Sequence, residues 1–103
     1  KGMFAGAASF NQPIGDWDDV SNVTNMRAMF SEATSFNQPI GNWDVGNVTY
    51  MEYMFDEATS FNNGEDTGAS SAPLNWNVGN VRYMSDMFAG ATSFNRANAP
   101  WAP

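Results

Sequence analysis

Side chains able to do chemistry are few in this chain and mostly acidic. Asp16, Asp18 and Asp19 surround a tryptophan, and Glu65 and Asp66 lie side by side further along. Clustered carboxylates can bind calcium or act as the acid and nucleophile of a glycosidase. Neither group has the spacing of an EF-hand loop, and later stretches of the same pattern carry asparagine in place of some of these aspartates. The carboxylates therefore favour solvated turns over a calcium site or a catalytic pair.

Composition excludes several further classes of function. Histidine and cysteine are absent, which removes the commonest general base, imidazole and thiolate metal ligands, and disulfides. Eleven acidic and four basic residues give a net charge of -7, and the basic residues are scattered, whereas phosphate binding needs clustered Lys and Arg. No apolar run approaches the roughly 18 residues of a membrane span. We expect no enzymatic activity, no cofactor or metal, no nucleic-acid partner and no membrane insertion.

A four-fold internal repeat contains every Phe, Met and Trp of the chain. The copies cover 1–22, 23–47, 48–80 and 81–103, and together form one repeat domain, 1–103. A period of about 25 residues is typical of solenoids, in which each unit stacks on its neighbours. The aligned columns are Phe10, Phe36, Phe61 and Phe94; Asn11, Asn37, Asn62 and Asn95; and Trp17, Trp43, Trp76 and Trp101.

The spacing within each copy predicts one helix and one strand. Apolar residues of the second copy recur at steps of three, four and three, at Val23, Met26, Phe30 and Ala33, which is one face of a helix. The stretch 36–43 is rich in aromatic residues and interrupted by Pro and Gly, which favours a strand. The sequence thus predicts an α/β solenoid of about four coils, each a short strand plus a short helix, with the strands stacked in parallel.

Asparagines and an insertion add detail to this picture. The Asn after each column Phe is expected to sit above its counterpart in the next coil and to satisfy turn amides as a ladder. The third copy is longer, and the composition of 63–72 predicts a solvated loop. Asn98 replaces an apolar residue of the other copies, which predicts that the stack ends or turns outward there.

The repeat resembles a known family. The string Ser-Phe-Asn-Gln-Pro-Ile-Gly-Asn-Trp-Asp-Val over 35–45, preceded by Met-Phe and followed by Asn-Val-Thr, is similar to the short surface-protein repeats related to the BspA-like leucine-rich-repeat family, also called mycoplasma lipoprotein-type repeats. The resemblance implies a leucine-rich-repeat-like solenoid in tandem arrays at the cell surface or outside the cell, assigned to adhesion or recognition, with no catalytic residues. The chain opens inside a repeat, at Lys1-Gly2-Met3-Phe4, which favours a piece of a longer protein.

Candidate contact and modification residues lie off the apolar columns. Tyr50 and Tyr83 occupy equivalent positions outside the apolar stripe, and Tyr53 is nearby, so these three are candidate contact residues. Asn22 and Asn47 begin Asn-Val-Thr sequons and are candidate N-glycosylation sites; capping of the predicted helices explains them better than glycosylation does. The Trp column could stack on sugars and the Met columns could bind soft metals, but core packing explains both patterns.

Two functions remain open at this point. The first is a non-catalytic extracellular repeat module for cell-surface adhesion or recognition, whose partner is a surface protein or a carbohydrate and whose repeated contacts add up to avidity. The alternative is a structural subunit of an extracellular filament, in which copies of the chain join head to tail through open solenoid ends.

Overall fold

The computed structural model describes residues 2–66 and 73–102. The four copies lie side by side as stacked coils, which we name coil 1 (2–22), coil 2 (23–47), coil 3 (48–66 and 73–80) and coil 4 (81–102). The regular elements are two 3₁₀ helices, Asp19–Asn22 and Arg96–Asn98, and two isolated parallel bridges, Asn25–Tyr50 and Tyr50–Tyr83. The described residues contain no α-helix and no β-strand, and neither helix is long enough to cross a membrane.

The prediction of a strand and a helix in every coil is therefore wrong. The segment expected to be helical is a run of tight turns whose amides alternate between two directions. The Met29 N–H donates to the carbonyl of Met26, three residues back (3.2 Å), while the Phe30 N–H donates to the carbonyl of Met54 in the next coil (2.8 Å). An α-helix would direct both amides to carbonyls four residues back. Here half of them join neighbouring coils instead.

Two residues in the segment of each coil that was expected to be helical have a left-handed backbone, which interrupts any helical path. In coil 2 these are Ala28 (φ 56°) and Glu32 (φ 58°). The other coils place left-handed residues at the equivalent positions, namely Gly2 and Gly6, Tyr53 and Glu57, and Asp86 and Gly90. The apolar steps of three and four therefore mark successive inward-facing turn positions, and the same side chains are buried by a different backbone.

The distance between coils explains why turns replace helices. The ring centroids of Phe30 and Phe55 are 5.5 Å apart, and those of Phe4 and Phe30 are 5.4 Å apart. Packed helices need about 8–10 Å between their axes. One helix in each coil would hold the coils too far apart for these rings to stack and for the backbone bonds between coils to form.

The segment predicted as a strand, 36–43, is connected to neighbouring coils mainly by side chains. Its Asn37 N–H donates to the side-chain oxygen of Asn11 (2.8 Å), and its Ile40 N–H donates to that of Asn63 (2.9 Å). Pro39 has no N–H to give. Among the described residues, this segment thus forms no backbone-to-backbone ladder bonds of the kind that define a strand, although the chain is stacked there.

The core consists of two parallel phenylalanine columns between the tryptophans and the apolar turn residues. The first column contains Phe4, Phe30, Phe55 and Phe88, and the second contains Phe10, Phe36, Phe61 and Phe94; neighbouring rings within each column are 5.2–5.8 Å apart. In every coil the two rings also stack on each other at 4.1–4.3 Å. The rings of coils 2 and 3 are fully buried, so the repeat forms one continuous aromatic core.

Candidate functional site

The four asparagines predicted as a ladder lie in one column. The side-chain oxygen of Asn11 accepts the backbone N–H of Asn37, that of Asn37 accepts the N–H of Asn62, and that of Asn62 accepts the N–H of Asn95, each at 2.8 Å. The first three asparagines thus each satisfy an amide of the next coil, which fixes the register of the stack, while Asn95 accepts the N–H of Ala97 in its own coil.

The tryptophans form a second set of links along the stack. The indole N–H of Trp43 donates to the Ile14 carbonyl of the preceding coil at 2.9 Å, and that of Trp76 donates to the Ile40 carbonyl at 3.1 Å. Trp101 continues the pattern in coil 4. Trp17 lies in coil 1, is 43% exposed, and finds no indole acceptor among the described residues. The structure places the tryptophans of coils 2 and 3 in the core, not on a sugar-stacking surface.

The sequon asparagines do not cap helices, so that part of the interpretation is wrong. The side-chain amide of Asn47 donates to the carbonyl of Ser21 at 2.8 Å. Asn80 occupies the equivalent position in coil 3, although Arg82 replaces the sequon threonine there, and its side-chain amide donates to the carbonyl of Gly46 at 2.6 Å. A cap would accept from backbone amides, whereas these side chains donate to the preceding coil. Asn22 is exposed, at the end of the first 3₁₀ helix.

Tyr50 and Tyr83 come together on the surface. Their rings stack with centroids 5.1 Å apart and an interplanar angle of 4°, and the residues are 40% and 50% exposed. The backbone beneath them is the parallel bridge from Asn25 through Tyr50 to Tyr83. Bonds from the amides of Met26 and Met51 to the carbonyls of the two tyrosines hold this bridge (2.8 and 2.7 Å). We call the stacked pair the tyrosine face.

Tyr53, the third candidate contact residue, is not part of this face. It is half-buried, has a left-handed backbone (φ 58°), and its ring lies 5.6 Å from the guanidinium carbon of Arg27. Arg27 also approaches the Glu52 carboxylate at 3.8 Å. The other oxygen of that carboxylate is buried without a hydrogen-bond partner among the described residues. Tyr53 therefore contributes to packing around Arg27, next to the tyrosine face.

The acidic residues weighed as a calcium or glycosidase site are not gathered around a common point. Asp16, Asp18, Asp19 and Asp66 are exposed, and Glu65 is half-buried. The described ranges contain no group of three or more acidic residues placed to hold a metal ion.

Two asparagines, Asn63 and Asn98, are buried, contrary to the expectation from the sequence. Asn63 was expected to begin a solvated loop, but it is 1% exposed and accepts the N–H of Ile40; residues 67–72 of that loop lie outside the described residues. Asn98 was expected where the stack turns outward, but it is fully buried and donates to the side-chain oxygen of Asn62 at 2.9 Å. The sequence shows only that these two side chains are polar. Because a buried side-chain amide needs hydrogen-bond partners, their polarity is consistent with the bonds that they form in the core.

Comparison with known proteins assigns the chain to a family. No curated protein and no solved structure matches the chain. Residues 1–101 match the family described as "Mycoplasma protein of unknown function, DUF285". The match agrees with the mycoplasma-type part of the resemblance and does not reach its BspA-like, leucine-rich-repeat part. Since the matched stretch spans almost the whole chain, the protein belongs to the Mycoplasma family of unknown function DUF285.

Proposed function

We propose that this chain is a non-catalytic extracellular repeat module that serves cell-surface adhesion or recognition through the tyrosine face. The observation that carries the proposal is the exposed stack of Tyr50 on Tyr83. Large apolar rings left 40% and 50% exposed contribute little to the core. Tyrosine is also enriched in binding surfaces because it offers a large contact area with few rotatable bonds.

The backbone under the face favours a preorganised contact. Tyr50 and Tyr83 are fixed by bonds between coils on both sides, from Thr49 and Arg82 as well as from the methionines already described. A partner therefore meets rings that are already aligned, so that little side-chain entropy is lost on binding. Parallel phenol rings with exposed hydroxyls suit a sugar ring or an apolar protein patch edged by polar groups.

The surface location rests on the resemblance of the repeat to BspA-like surface proteins. In that setting, further copies with a tyrosine at the position of Tyr50 and Tyr83 would extend the tyrosine column, and each added ring would raise avidity for a repetitive ligand. The sequon asparagines Asn22 and Asn47 are exposed, which suits this location, and glycosylation there is part of the proposal for an organism that attaches such sugars.

An array of host and matrix glycans together with immobilised matrix proteins tests the proposal. The wild-type chain is expected to bind at least one class of probe, and the double variant Tyr50→Ser/Tyr83→Ser to lose at least tenfold in affinity. The control is Asn42→Ser/Asn75→Ser, which changes two exposed residues in adjacent coils and is expected to bind like wild type. The proposal would be contradicted if the wild-type chain bound none of the probes, or if the tyrosine variant bound as tightly as wild type.

A filament subunit is the second candidate, favoured by the complementary ends of the stack. In coil 4 the N–H groups of Asp86, Phe88 and Gly90 have no acceptor among the described residues, although their counterparts in the other coils bond to the next coil. In coil 1 the carbonyls of Met3 and Ala5 likewise have no described donor. Donors at one end and acceptors at the other favour head-to-tail addition of copies.

Light scattering over a concentration series tests the filament. Growth of particle mass with concentration, prevented by Met3→Asp at the exposed end, is the expected behaviour of a filament subunit. A stable monomer at tens of micromolar would reject this candidate and leave the tyrosine-face proposal untouched.

A further inference from the structure

Two of the four basic residues of this acidic chain lie beside the tyrosine face. Arg82 directly precedes Tyr83, and Arg27 follows two residues after Asn25, which pairs with Tyr50 in the parallel bridge. Both arginines are exposed. The stack thus brings two cations that are far apart in the sequence to one surface of a chain with a net charge of -7.

The guanidinium of Arg27 is oriented by its neighbours and still has donors to spare. Its Nε lies 3.8 Å from a carboxylate oxygen of Glu52, and its carbon lies 5.6 Å from the centre of the Tyr53 ring. The Arg27 side chain is nevertheless 45% exposed. A guanidinium has five N–H donors and can direct two of them in parallel at a carboxylate. The contacts therefore hold Arg27 in place beside the face and leave part of its fork for an anion.

Arg82 provides a second cation at the same surface. Its side chain forms no ion pair with any residue that the structure describes, while its backbone N–H is fixed to the carbonyl of Thr49 at 2.9 Å. Charges interact over only about 8 Å at physiological ionic strength. Acidic residues elsewhere on the surface therefore weaken the attraction of Arg82 for an anion only slightly.

The backbone under the face is already occupied by bonds between coils. The N–H groups of Thr49 and Tyr50 donate to the carbonyl of Thr24, and those of Arg82 and Tyr83 donate to the carbonyl of Thr49. A peptide that adds to a stack as an extra strand needs free backbone groups. The face instead offers aromatic rings, hydroxyls and guanidinium groups, which favours a ligand recognised by side chains alone.

We propose that the tyrosine face binds an acidic saccharide, a chain of sugars that carry carboxylate groups. The inference rests on the proposed function and specifies its ligand. Sugar rings contact Tyr50 and Tyr83, and carboxylates accept paired hydrogen bonds from Arg27 and Arg82, a geometry that arginine provides and lysine does not. Because the two arginines belong to coils 2 and 4, a ligand that touches both must span three coils. An oligosaccharide meets this requirement and a single sugar does not.

A hexasaccharide of alternating glucuronate and N-acetylglucosamine is the probe, titrated calorimetrically at physiological salt. The matched control is the same hexasaccharide with its carboxylates converted to methyl esters, which keeps the rings and removes the charge. We expect saturable binding of the acidic form and at least tenfold weaker binding of the ester and of free glucuronate. Hexaglutamate tests the alternative of an acidic peptide and is expected to bind more weakly than the acidic hexasaccharide.

Variants of the chain locate the anion contacts. Arg82→Gln is expected to weaken binding of the acidic hexasaccharide about tenfold and to leave binding of the ester unchanged. Arg82→Lys, which keeps the charge and loses the fork, should fall between Arg82→Gln and wild type. Arg96→Gln, an equal charge change at another exposed arginine of coil 4, is expected to bind like wild type.

The outcomes separate this inference from the proposed function. Equal binding of the acidic and esterified hexasaccharides, wild-type binding by Arg82→Gln, or tighter binding of hexaglutamate would each overturn the acidic-saccharide ligand. If a neutral probe binds and Tyr50→Ser/Tyr83→Ser abolishes that binding while the acidic hexasaccharide does not bind, the proposed function stands and this inference fails. Undiminished binding of the acidic hexasaccharide by the tyrosine variant would contradict both.

Discussion

The side-chain oxygen of Asn37 lies 2.8 Å from the backbone nitrogen of Asn62 and joins coil 2 to coil 3. The same oxygen accepts the N–H of Gly64 at 2.9 Å, and the Asn37 amide donates to the carbonyl of Glu65 at 3.0 Å. One side chain therefore serves both the asparagine ladder and the start of the inserted loop. The stack depends on side chains that replace the backbone ladder of an ordinary sheet.

Removing this side chain should cost more than removing its counterpart at the end of the stack. Asn37→Ala leaves two amides, those of Asn62 and Gly64, without their acceptor, and is expected to lower the free energy of unfolding by about 2–4 kcal/mol. Asn11→Ala removes an acceptor only from exposed bonds and should cost about 1 kcal/mol. Urea denaturation of both variants measures the difference. Equal losses would contradict the unequal roles assigned to these two asparagines.

The tryptophan links predict a difference between coils. Trp43→Phe removes the bond to the Ile14 carbonyl and part of a buried ring, so it should lower the free energy of unfolding by about 1–3 kcal/mol. Trp17 is 43% exposed, and Trp17→Phe removes no described hydrogen bond. This variant should change the free energy of unfolding by less than about 0.5 kcal/mol. Denaturant titration again provides the comparison. A loss at Trp17 as large as at Trp43 would mean that the indole bonds between coils do not stabilise the stack.

Close backbone contact explains why position 15 of coil 1 is a glycine. A Cβ atom at Gly15 would lie 2.5 Å from the carbonyl oxygen of Pro39, so Gly15→Ala forces the two coils apart. At Gly46 the same atom would meet only the end of the Asp44 side chain, at 3.1 Å. Gly15→Ala should destabilise the chain by about 1–3 kcal/mol, with a lower Tm, and Gly46→Ala by clearly less. Unchanged Tm for Gly15→Ala would contradict the observed coil spacing.

The left-handed backbone at Glu32 distinguishes a turn from a helix. Glu32 is exposed with φ 58°, so Glu32→Gly relieves strain and is expected to leave stability unchanged or raise it by up to about 1 kcal/mol. The β-branched variant Glu32→Val should lower it by about 1 kcal/mol or more. In a helix interior, glycine would instead cost about 1 kcal/mol relative to a good helix former. Thermal unfolding of Glu32→Gly and Glu32→Val shows whether each substitution raises or lowers the stability of the chain.

The columns follow from the sequence, because side chains that stack at regular intervals must recur at regular intervals along the chain. The register of the Phe, Asn and Trp positions follows from the repeat, as does the exposure of Tyr50 and Tyr83. The backbone path did not follow, because steps of three and four fit a helix and a run of turns equally well. A signal was present in the glycines Gly2, Gly6 and Gly90, which occupy the left-handed positions in coils 1 and 4.

The hydrogen-bond roles of the polar residues were harder to predict. The sequence predicts Asn47 as a helix cap only if a helix follows it. Since none does, its side-chain amide donates to the Ser21 carbonyl of the preceding coil. Asn63 and Asn98 reverse the usual expectation that asparagine marks the surface, because their side chains form buried hydrogen bonds between coils, Asn63 to the Ile40 backbone N–H and Asn98 to the Asn62 side chain. Such roles depend on contacts between coils, which no single copy of the repeat reveals.

Backbone hydrogen bonds between successive copies join the turn-built coils of this chain. A long-range HNCO experiment detects scalar coupling through individual hydrogen bonds and tests the claim at Phe30. We predict coupling between the Phe30 nitrogen and the carbonyl carbon of Met54, as the 2.8 Å bond requires. Coupling to the carbonyl carbon of Met26, the acceptor in an α-helix, would contradict the stack of turns.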